Sequence, residues 1–344
     1  MSRPIARALI TGVSGQDGAL LATHLLRDGI DVIGTHRPLH EPDLWRLRGL
    51  GIADHAQLRL LALDPSDGAA CAALLAATQP DAVFHLSGQS RVAESFRDPR
   101  ASVDANGLSA INLLEAVRVA APQAHLVLAA SAEMFGAPAH SPQNEHTALM
   151  ARSPYGLSKL LAHAAVGSWR AAFGLRASSA ILFNHESEWR DEAFVTRKLT
   201  RAAARIARGR EEALLLGNLD ARRDFGYAPD YVAAMAAMAR CEQGDDYVLA
   251  TGVAASVRDF ATAAFAAAGI ALDWRGAGAD EVGVERGGHR VRVRIDPVLL
   301  RPQDAPLLVG DAAKARRELG FRTSLDLAGL AQRMVEADLT RERE

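Results

Sequence analysis

The sequence predicts an α/β protein with a Rossmann-type doubly wound parallel sheet and a smaller mixed α/β lobe in the C-terminal part. Three observations lead to this fold class. Short apolar runs alternate with helical patterns through the first half, a glycine-rich turn joins the first run to the first helix, and the pattern changes after about residue 185. The composition of the 344 residues, 49% hydrophobic and 23% charged, is that of a globular protein with a large core.

The first strand, helix and strand are the clearest elements. We expect a strand at 6–10, a helix at 19–27 and a second strand at 31–35. Further buried strands are expected at 58–63, 82–86, 125–129 and 177–182, with helical patterns between them. Strands that alternate with helices at this spacing form a parallel sheet covered on both faces.

The final third has a different pattern. It contains a basic helix at 196–210, loops at 218–229, a helix at 229–240 and a short β pattern at 290–295. These strands are too few to extend the sheet regularly. We therefore predict a dinucleotide-binding domain at 1–185, with 229–255 packing back on it, and a smaller lobe formed mainly by 186–344.

Charge and cysteine content exclude several classes. A formal net charge of −2 argues against a general nucleic-acid binder, which needs a surplus of cations. The two cysteines, Cys71 and Cys241, lie far apart in alanine-rich segments, so we expect buried apolar residues and neither a disulfide nor a metal site. The sequence shows no secretion signal and no apolar run of the roughly 20 residues that span a bilayer, so no membrane association and a cytoplasmic location are expected.

The glycine-rich turn predicts a dinucleotide site. Thr11, Gly12, Gly15 and Gly18 form a TGxxGxxG pattern between a strand and a helix, with Gln16 and Asp17 inside it. Glycine lets the backbone approach a pyrophosphate, and the helix N-terminus supplies a positive dipole. The alternative is a tight structural turn. The position of the pattern between strand and helix favours the binding site.

The end of the second strand favours NADP over NAD. An NAD site usually places a carboxylate there to hold the ribose 2′-hydroxyl, whereas this chain has Thr35, His36 and Arg37. A guanidinium can pair with a 2′-phosphate, although Arg37 could also be an ordinary exposed residue. Asp64, after the third strand, either meets the adenine or caps the next turn. Leu86, at the end of the fourth strand, completes the predicted cofactor site.

Tyr155 and Lys159 form the predicted catalytic pair. Their i, i+4 spacing puts both side chains on one helix face, and Ser153 and Pro154 mark the start of that helix. An ammonium beside a phenol favours the phenolate, which can take a proton from a sugar hydroxyl while a nicotinamide takes the hydride.

Several segments resemble the GDP-mannose 4,6-dehydratases of the extended short-chain dehydrogenase/reductase family. The resemblance runs almost end to end, through ALITGVSGQDG at 8–18, RSPYGLSK at 152–159, ILFNHES at 181–187, FVTRKLTRA at 194–202, LGNLDARRDFGYAPDYV at 216–232 and LLVGDAAKARRELGF at 307–321. It implies a lyase that oxidises C4 of a GDP-linked hexose with NADP, eliminates water across C5 and C6 and returns the hydride to C6. The nucleotide GDP follows only from this resemblance.

The resemblance also implies roles for single residues. Ser131 takes the place of the family's catalytic threonine, and Glu133 that of the carboxylate acting at C5 and C6; a structural glutamate at a strand end is the alternative. It places the GDP-linked sugar on residues of the lobe and of the loop after the fourth strand, namely Ser90, Asn184, Val195, Lys198, Arg223 and, more weakly, Arg301. His185 and Glu186 are expected to hold their loop.

Three departures from the family pattern affect what we expect of the reaction rate, of the sugar that is bound and of the oligomeric state. Ala132 stands where relatives have a hydroxyl residue, which leaves Glu133 alone near the leaving oxygen, and SEWRD at 187–191 replaces a Pro- and Arg-containing stretch. The loop after Arg37 lacks the stretch that reaches a neighbour's cofactor in relatives, so we expect a helix-mediated homodimer, with a tetramer as the alternative. Rival functions are a GDP-sugar 4-epimerase or 4-keto reductase, and an inactive nucleotide-sugar-binding protein.

Overall fold

The computed structural model describes residues 3–38, 43–299 and 307–342, and the chain divides into two compact units. The first unit consists of the described residues of Met1–Phe183, Ala228–Ala250 and Gly310–Arg322. The second consists of those of Asn184–Tyr227, Thr251–Val309 and Thr323–Glu344. Each unit is therefore assembled from three separate stretches of the chain.

Strands and helices have the following bounds within the described residues. The strands are β1 Arg7–Thr11, β2 Asp31–His36, β3 Leu58–Ala62, β4 Ala82–His85, β5 His125–Ala129, β6 Ala177–Leu182, β7 Asn184–Glu186, β8 Leu214–Leu216, β9 Arg222–Tyr227, β10 Asp246–Leu249, β11 Ala254–Ser256, β12 Leu272–Arg275, β13 Val282–Glu285 and β14 Val291–Ile295. The helices are α1 Gln16–Arg27, α2 Trp45–Gly49, α3 Gly68–Thr78, α4 Val92–Arg97, α5 Pro99–Val103, α6 Ser109–Ala120, α7 Pro154–Phe173, α8 Val195–Ala207, α9 Ala228–Ala239, α10 Val257–Ala267, α11 Ala313–Glu318 and α12 Leu327–Arg341.

The first unit is built on a seven-stranded parallel sheet. Its strand order is β10-β6-β5-β4-β1-β2-β3, and every pair of neighbours runs parallel. The order reverses between β1 and β4, where the carboxyl ends of an open α/β sheet form a ligand-binding crevice. The predicted fold class is confirmed.

Helices cover the sheet on both faces because its central strands are apolar on both sides. β4, β5 and β6 are buried throughout. On one face α3, α6 and α7 pack together, and on the other α1 packs against α9. Fully buried side chains such as Leu9, Val83 and Leu113 fill the core of the first face, each stabilising the fold by about 1.5 to 3 kcal/mol through removal from water.

The second unit contains two small sheets and its own core. One sheet has the order β11-β9-β7 and the other β12-β13-β14-β8, both with parallel and antiparallel pairs. Helices α8, α10 and α12 pack on one another. The rings of Phe225 and Phe260 lie 5.5 Å apart in this core, and a buried ion pair joins Arg197 of α8 to Asp338 of α12.

Some element predictions are wrong and others are confirmed. The loops expected at 218–229 contain strand β9, and β10 adds a seventh strand that the sequence did not reveal. The β pattern at 290–295 is confirmed by β14. Cys71 is buried in α3 as expected, whereas Cys241 follows the end of α9 and is only half-buried.

Candidate functional site

The turn after β1 needs glycine at two positions. Gly12 has a φ of +76°, and a Cβ there would lie 2.8 Å from Ser87 Cα. At Gly18 a Cβ would lie 2.3 Å from the Gly12 carbonyl oxygen. Gly15 is the N-cap of α1, so the backbone N–H groups of the first helical turn, beginning with Gln16 and Asp17, face this turn. A site that admits backbone but no side chain at a helix N-terminus fits the pyrophosphate of a dinucleotide.

The end of β2 lies against this turn. The Thr35 carbonyl accepts hydrogen bonds from the backbone N–H of Gly12 at 3.1 Å and of Val13 at 3.2 Å. Arg37 follows β2 and is exposed. Asp64 is exposed and its carboxylate accepts from Ser66 N at 2.9 Å, which is the turn-capping alternative. Leu86, directly after β4, is half-buried.

Ser131 and Glu133 lie in a 3₁₀ turn directly after β5. Ser131 Oγ accepts a hydrogen bond from Glu133 N at 3.2 Å and so caps the turn Ala132–Phe135. Ser131 and Ala132 are buried, and Glu133 is half-buried. This arrangement places one hydroxyl and one carboxylate together at the carboxyl end of the sheet.

Tyr155 and Lys159 lie on the first turns of α7, which packs on that 3₁₀ turn. Ser153 Oγ accepts from Gly156 N at 3.0 Å and caps the helix. A Cβ at Gly156 would lie 2.6 Å from the Glu133 carbonyl oxygen, so the helix start is in direct contact with the turn. The structure therefore brings the four predicted catalytic residues into one region of the first unit.

Lys159 is buried and held in place by the sheet. Its ammonium donates to the Ala129 carbonyl at 2.8 Å and lies 6.0 Å from the centroid of the Tyr155 ring. Burial lowers the pKa of Lys159 to about 8, with the charge of Asp17 acting in the opposite direction. The group still carries a proton through most of its population at pH 7, so it can stabilise a phenolate beside it.

Asn106 is a site residue that the sequence analysis missed. It lies in a π-helical turn, Asp104–Leu108, and its Oδ1 accepts from Gln89 N at 3.0 Å. Its Nδ2 donates to the Gln89 carbonyl at 3.0 Å and to Ser158 Oγ at 2.9 Å. Ser158 Oγ donates to the Tyr155 carbonyl at 2.7 Å. Asn106 thus ties the loop that carries exposed Ser90 to the catalytic helix. No local sequence signal indicated this role, because its partners lie 17 and 52 residues away along the chain.

The candidates for the sugar nucleotide in the second unit lie on three elements. Asn184 on β7 is paired in register with Phe225 on β9, and Arg223 lies on β9 as well. Arg223 Nη1 donates to the Arg222 carbonyl at 2.8 Å. Val195 is the exposed first residue of α8, and Lys198 Nζ donates to the Leu215 carbonyl at 2.7 Å. Arg301 lies outside the described residues.

Glu186 holds its loop, as expected. Its Oε2 accepts from Thr196 Oγ1 at 2.5 Å and lies 3.2 Å from Arg190 Nε. Glu188, in the stretch that departs from the family pattern, is buried and pairs with Arg333 of α12 at 3.2 Å. Among the described residues there is no group of three metal-ligating side chains, and none of the described helices is long and apolar enough to cross a bilayer.

Comparison with known proteins gives a consistent result. The family model described as GDP-mannose 4,6 dehydratase matches residues 9–334. The GDP-mannose 4,6-dehydratase of Sinorhizobium fredii is 41% identical over 338 residues, covering 97% of this chain and 96% of that protein. The GDP-mannose 4,6 dehydratase of Drosophila melanogaster is 38% identical over 338 residues, covering 96% and 86%.

Solved structures support the fold. The dTDP-glucose 4,6-dehydratase of Bacillus anthracis, solved in complex with NAD, superposes with a TM-score of 0.80 at 15% identity. The match covers 98% of this chain and 97% of that one. At this level of identity the likeness concerns the fold alone.

Proposed function

The chain belongs to the GDP-mannose 4,6-dehydratase family, since the family model matches residues 9–334, and we propose that it converts a GDP-linked hexose, with GDP-mannose as the first candidate, to the GDP-4-keto-6-deoxy sugar. The observation that carries this proposal is the contact between the start of α7 and the turn after β5. That contact collects a phenol, a buried ammonium, a hydroxyl and a carboxylate in the first unit, and these are the groups that oxidation followed by elimination requires.

The first unit fits NADP. The turn at Gly12 and Gly18 has no space for a Cβ, and α1 begins directly behind it. The residues that would hold the cofactor are Thr11, Gly12, Gly15, Gln16, Asp17, Gly18, Arg37, Asp64, Leu86, Tyr155 and Lys159. When bound, NADP supplies a hydride acceptor for C4 and a hydride donor for C6.

The catalytic residues have the following proposed tasks. Tyr155, as phenolate beside the Lys159 ammonium, takes the proton from the C4 hydroxyl. Ser131 donates a hydrogen bond to the C4 oxygen. Oxidation at C4 makes the C5 proton acidic, and Glu133 removes that proton and then delivers one to the departing C6 oxygen. Because Ala132 has no hydroxyl, Glu133 carries the second transfer alone. The proton that Tyr155 took from the C4 hydroxyl is returned to the sugar when C6 is reduced, which restores the C5–H bond and the phenolate.

The second unit is proposed to contribute residues that bind the GDP-linked sugar. Asn184 supplies amide groups, Lys198 a point charge and Arg223 a planar guanidinium that can hold two oxygens, and these types suit a diphosphate. Lys198 donates one of its three N–H groups to the Leu215 carbonyl, which leaves two for a ligand. Val195 and Arg301 complete the proposed set.

We further propose a homodimer formed through helices. Leu157 and Leu161 are exposed one turn apart on α7, and exposed Leu108 lies in the π-helical turn. A Cβ at Gly107 would lie 2.6 Å from Leu161 Cδ2, so these residues form one apolar surface. Two copies of such a surface suit a two-fold interface. The cytoplasm remains the proposed location.

The proposed function is tested by following a deuterium label and the mass of the product. Protein with NADP and GDP-mannose deuterated at C4 is expected to yield a product lighter by one water, with deuterium at C6. C4 inversion without water loss would establish the epimerase instead, and cofactor binding with no turnover on any GDP-linked hexose or heptose would indicate an inactive binding protein.

Glu133→Gln separates chemistry from binding. Loss of an acid/base group lowers the rate of water loss by about 10² to 10⁴, while the affinity for the nucleotide sugar should change by less than about twofold. Glu94→Gln, which changes a half-buried carboxylate on α4, is the control and should keep full activity. Full dehydration by Glu133→Gln would overturn the assignment.

A further inference from the structure

His85, the last residue of β4, is a buried histidine that the proposed mechanism does not use. Its side chain is 2% exposed and lies among three hydroxyls. Nδ1 is 2.9 Å from Thr11 Oγ1 and 3.5 Å from Ser87 Oγ, and Nε2 is 3.2 Å from Ser109 Oγ. Thr11 ends β1 immediately before the phosphate turn, and Ser109 begins α6 immediately after the π-helical turn. The imidazole therefore connects the cofactor turn with the segment that carries Asn106.

The hydrogen bonds of Ser109 determine where the imidazole carries its proton. Ser109 Oγ lies 2.7 Å from the Ala105 carbonyl, which can only accept. A hydroxyl has one proton, so Ser109 donates to Ala105 and must accept from His85 Nε2. In a neutral ring Nδ1 is then an acceptor, and Thr11 Oγ1 donates to it. Burial, followed by the charge of Lys159, lowers the pKa of His85 to about 3, which agrees with a neutral ring.

With this tautomer of His85, Thr11 donates its hydroxyl proton to the ring, so its oxygen can accept hydrogen bonds from the loop after β4. Three donors lie within hydrogen-bond distance of Thr11 Oγ1 and share its two lone pairs, namely Leu86 N at 3.2 Å, Ser87 N at 3.3 Å and Ser87 Oγ at 3.0 Å. Because a Cβ at Gly12 would lie 2.8 Å from Ser87 Cα, the loop backbone touches the phosphate turn. A charged His85 would donate toward Thr11 from Nδ1 and compete with the three donors already there.

We propose that His85 is a positioning residue for NADP, whose neutral Nε2-protonated imidazole sets the distance between the phosphate turn and the loop after β4 through Thr11 and Ser109. This inference rests on the proposed cofactor site and goes beyond it, because His85 is not among the residues proposed to hold NADP. Its removal should weaken dinucleotide binding while the core remains folded.

His125 provides a matched control. It is also a fully buried histidine on a neighbouring strand, and its Nε2 lies 2.8 Å from Ser178 Oγ. It begins β5, however, whereas His85 ends β4, so the two rings lie at opposite ends of two neighbouring parallel strands. A phenylalanine at either position removes comparable hydrogen bonds, but only the change at His85 adjoins the phosphate turn.

The first experiment determines directly which nitrogen of the His85 imidazole carries the proton. Nitrogen-15 spectra of the imidazole in the wild-type protein without ligand should show His85 protonated at Nε2 only, at pH 7. A proton on Nδ1, or on both nitrogens, would overturn the inference. This measurement needs no variant, so it decides the question even where a substitution prevents folding.

The second experiment measures NADPH binding by fluorescence titration. His85→Phe should raise the Kd about tenfold or more, since the two hydrogen bonds that fix the turn are lost. Ser109→Ala should raise it about threefold, and His125→Phe by less than about twofold. An equal effect of both phenylalanine variants would refute a positioning role. If the wild-type protein itself fails to bind NADPH, the proposed cofactor site fails; if it binds and His85→Phe binds equally well, only this inference fails.

Discussion

The burial of Lys159 predicts a pH-dependent cost in stability. Folding lowers the pKa of this group from its ordinary 10.5 to about 8, and desolvation is the main cause. The unfolded chain therefore binds more protons than the folded one between about pH 8 and 10.5, so the free energy of unfolding rises with pH across that window. Below pH 8 the folded protein carries the full cost of the buried charge, about 3 kcal/mol.

Lys159→Met removes that cost together with the charge. Between pH 7 and pH 10 the wild-type protein should gain about 2 to 3 kcal/mol relative to the variant, from the two pKa values and 1.36 kcal/mol per unit. At pH 7 the variant loses the hydrogen bond to Ala129, worth about 1 kcal/mol. The net expectation there is a more stable protein without activity.

Urea unfolding of both proteins at pH 7, 8, 9 and 10 measures the difference directly. Both proteins also carry Tyr155→Phe, because the phenol beside Lys159 would otherwise titrate differently in the two. Groups remote from Lys159 titrate alike, so they cancel when one curve is subtracted from the other. A difference that stays constant within about 0.5 kcal/mol across this range would show that the ammonium is not desolvated in the folded state.

Further outcomes follow from single contacts. Gly18→Ala should raise the NADPH Kd about 100-fold, because the new Cβ meets a main-chain oxygen at 2.3 Å; equal NADPH affinities of this variant and the wild-type protein in a titration would contradict this. Gly167→Ala, in open space on α7, should raise the free energy of unfolding by about 0.5 to 1 kcal/mol. Asp224→Asn should lower the free energy of unfolding by about 2 to 3 kcal/mol in urea, because the buried carboxylate accepts three hydrogen bonds from the segment after β10. Leu157→Glu should convert the proposed dimer to a monomer in light scattering, whereas Val253→Glu, at an exposed apolar residue of the second unit, should not. An unchanged mass for Leu157→Glu would exclude the α7 surface as the dimer interface.

The strands that the sequence predicted were those with continuous apolar runs. β10 was missed because its four residues follow an acidic stretch and give no run of useful length. β9 was taken for a loop because it begins with two arginines and Asp224. Asp224 is buried only because Thr251 and Gly252 supply its donors from 27 and 28 residues away. No local pattern shows such partners.

The same limit applies to the site. The spacing of Tyr155 and Lys159 and the glycine turn are local signals, and their placement on α7 and before α1 was predictable. The contributions of Asn106 and His85 depend on partners distant along the chain, such as Ser158, 52 residues later, and Thr11, 74 residues earlier. Their residue types alone suggested nothing beyond helix and strand.

The division of each unit among three stretches constrains how the protein is made. The sheet receives its last strand at Leu249, but Gly310–Arg322 also belongs to that unit, and the second unit waits for Thr323–Glu344. At about 5 to 20 residues per second, both units therefore stay incomplete until the ribosome has added Gly310–Arg322. Neither unit can be produced as an independent fragment by cutting the chain once, and a stop codon before the triplet for Gly310 removes part of both.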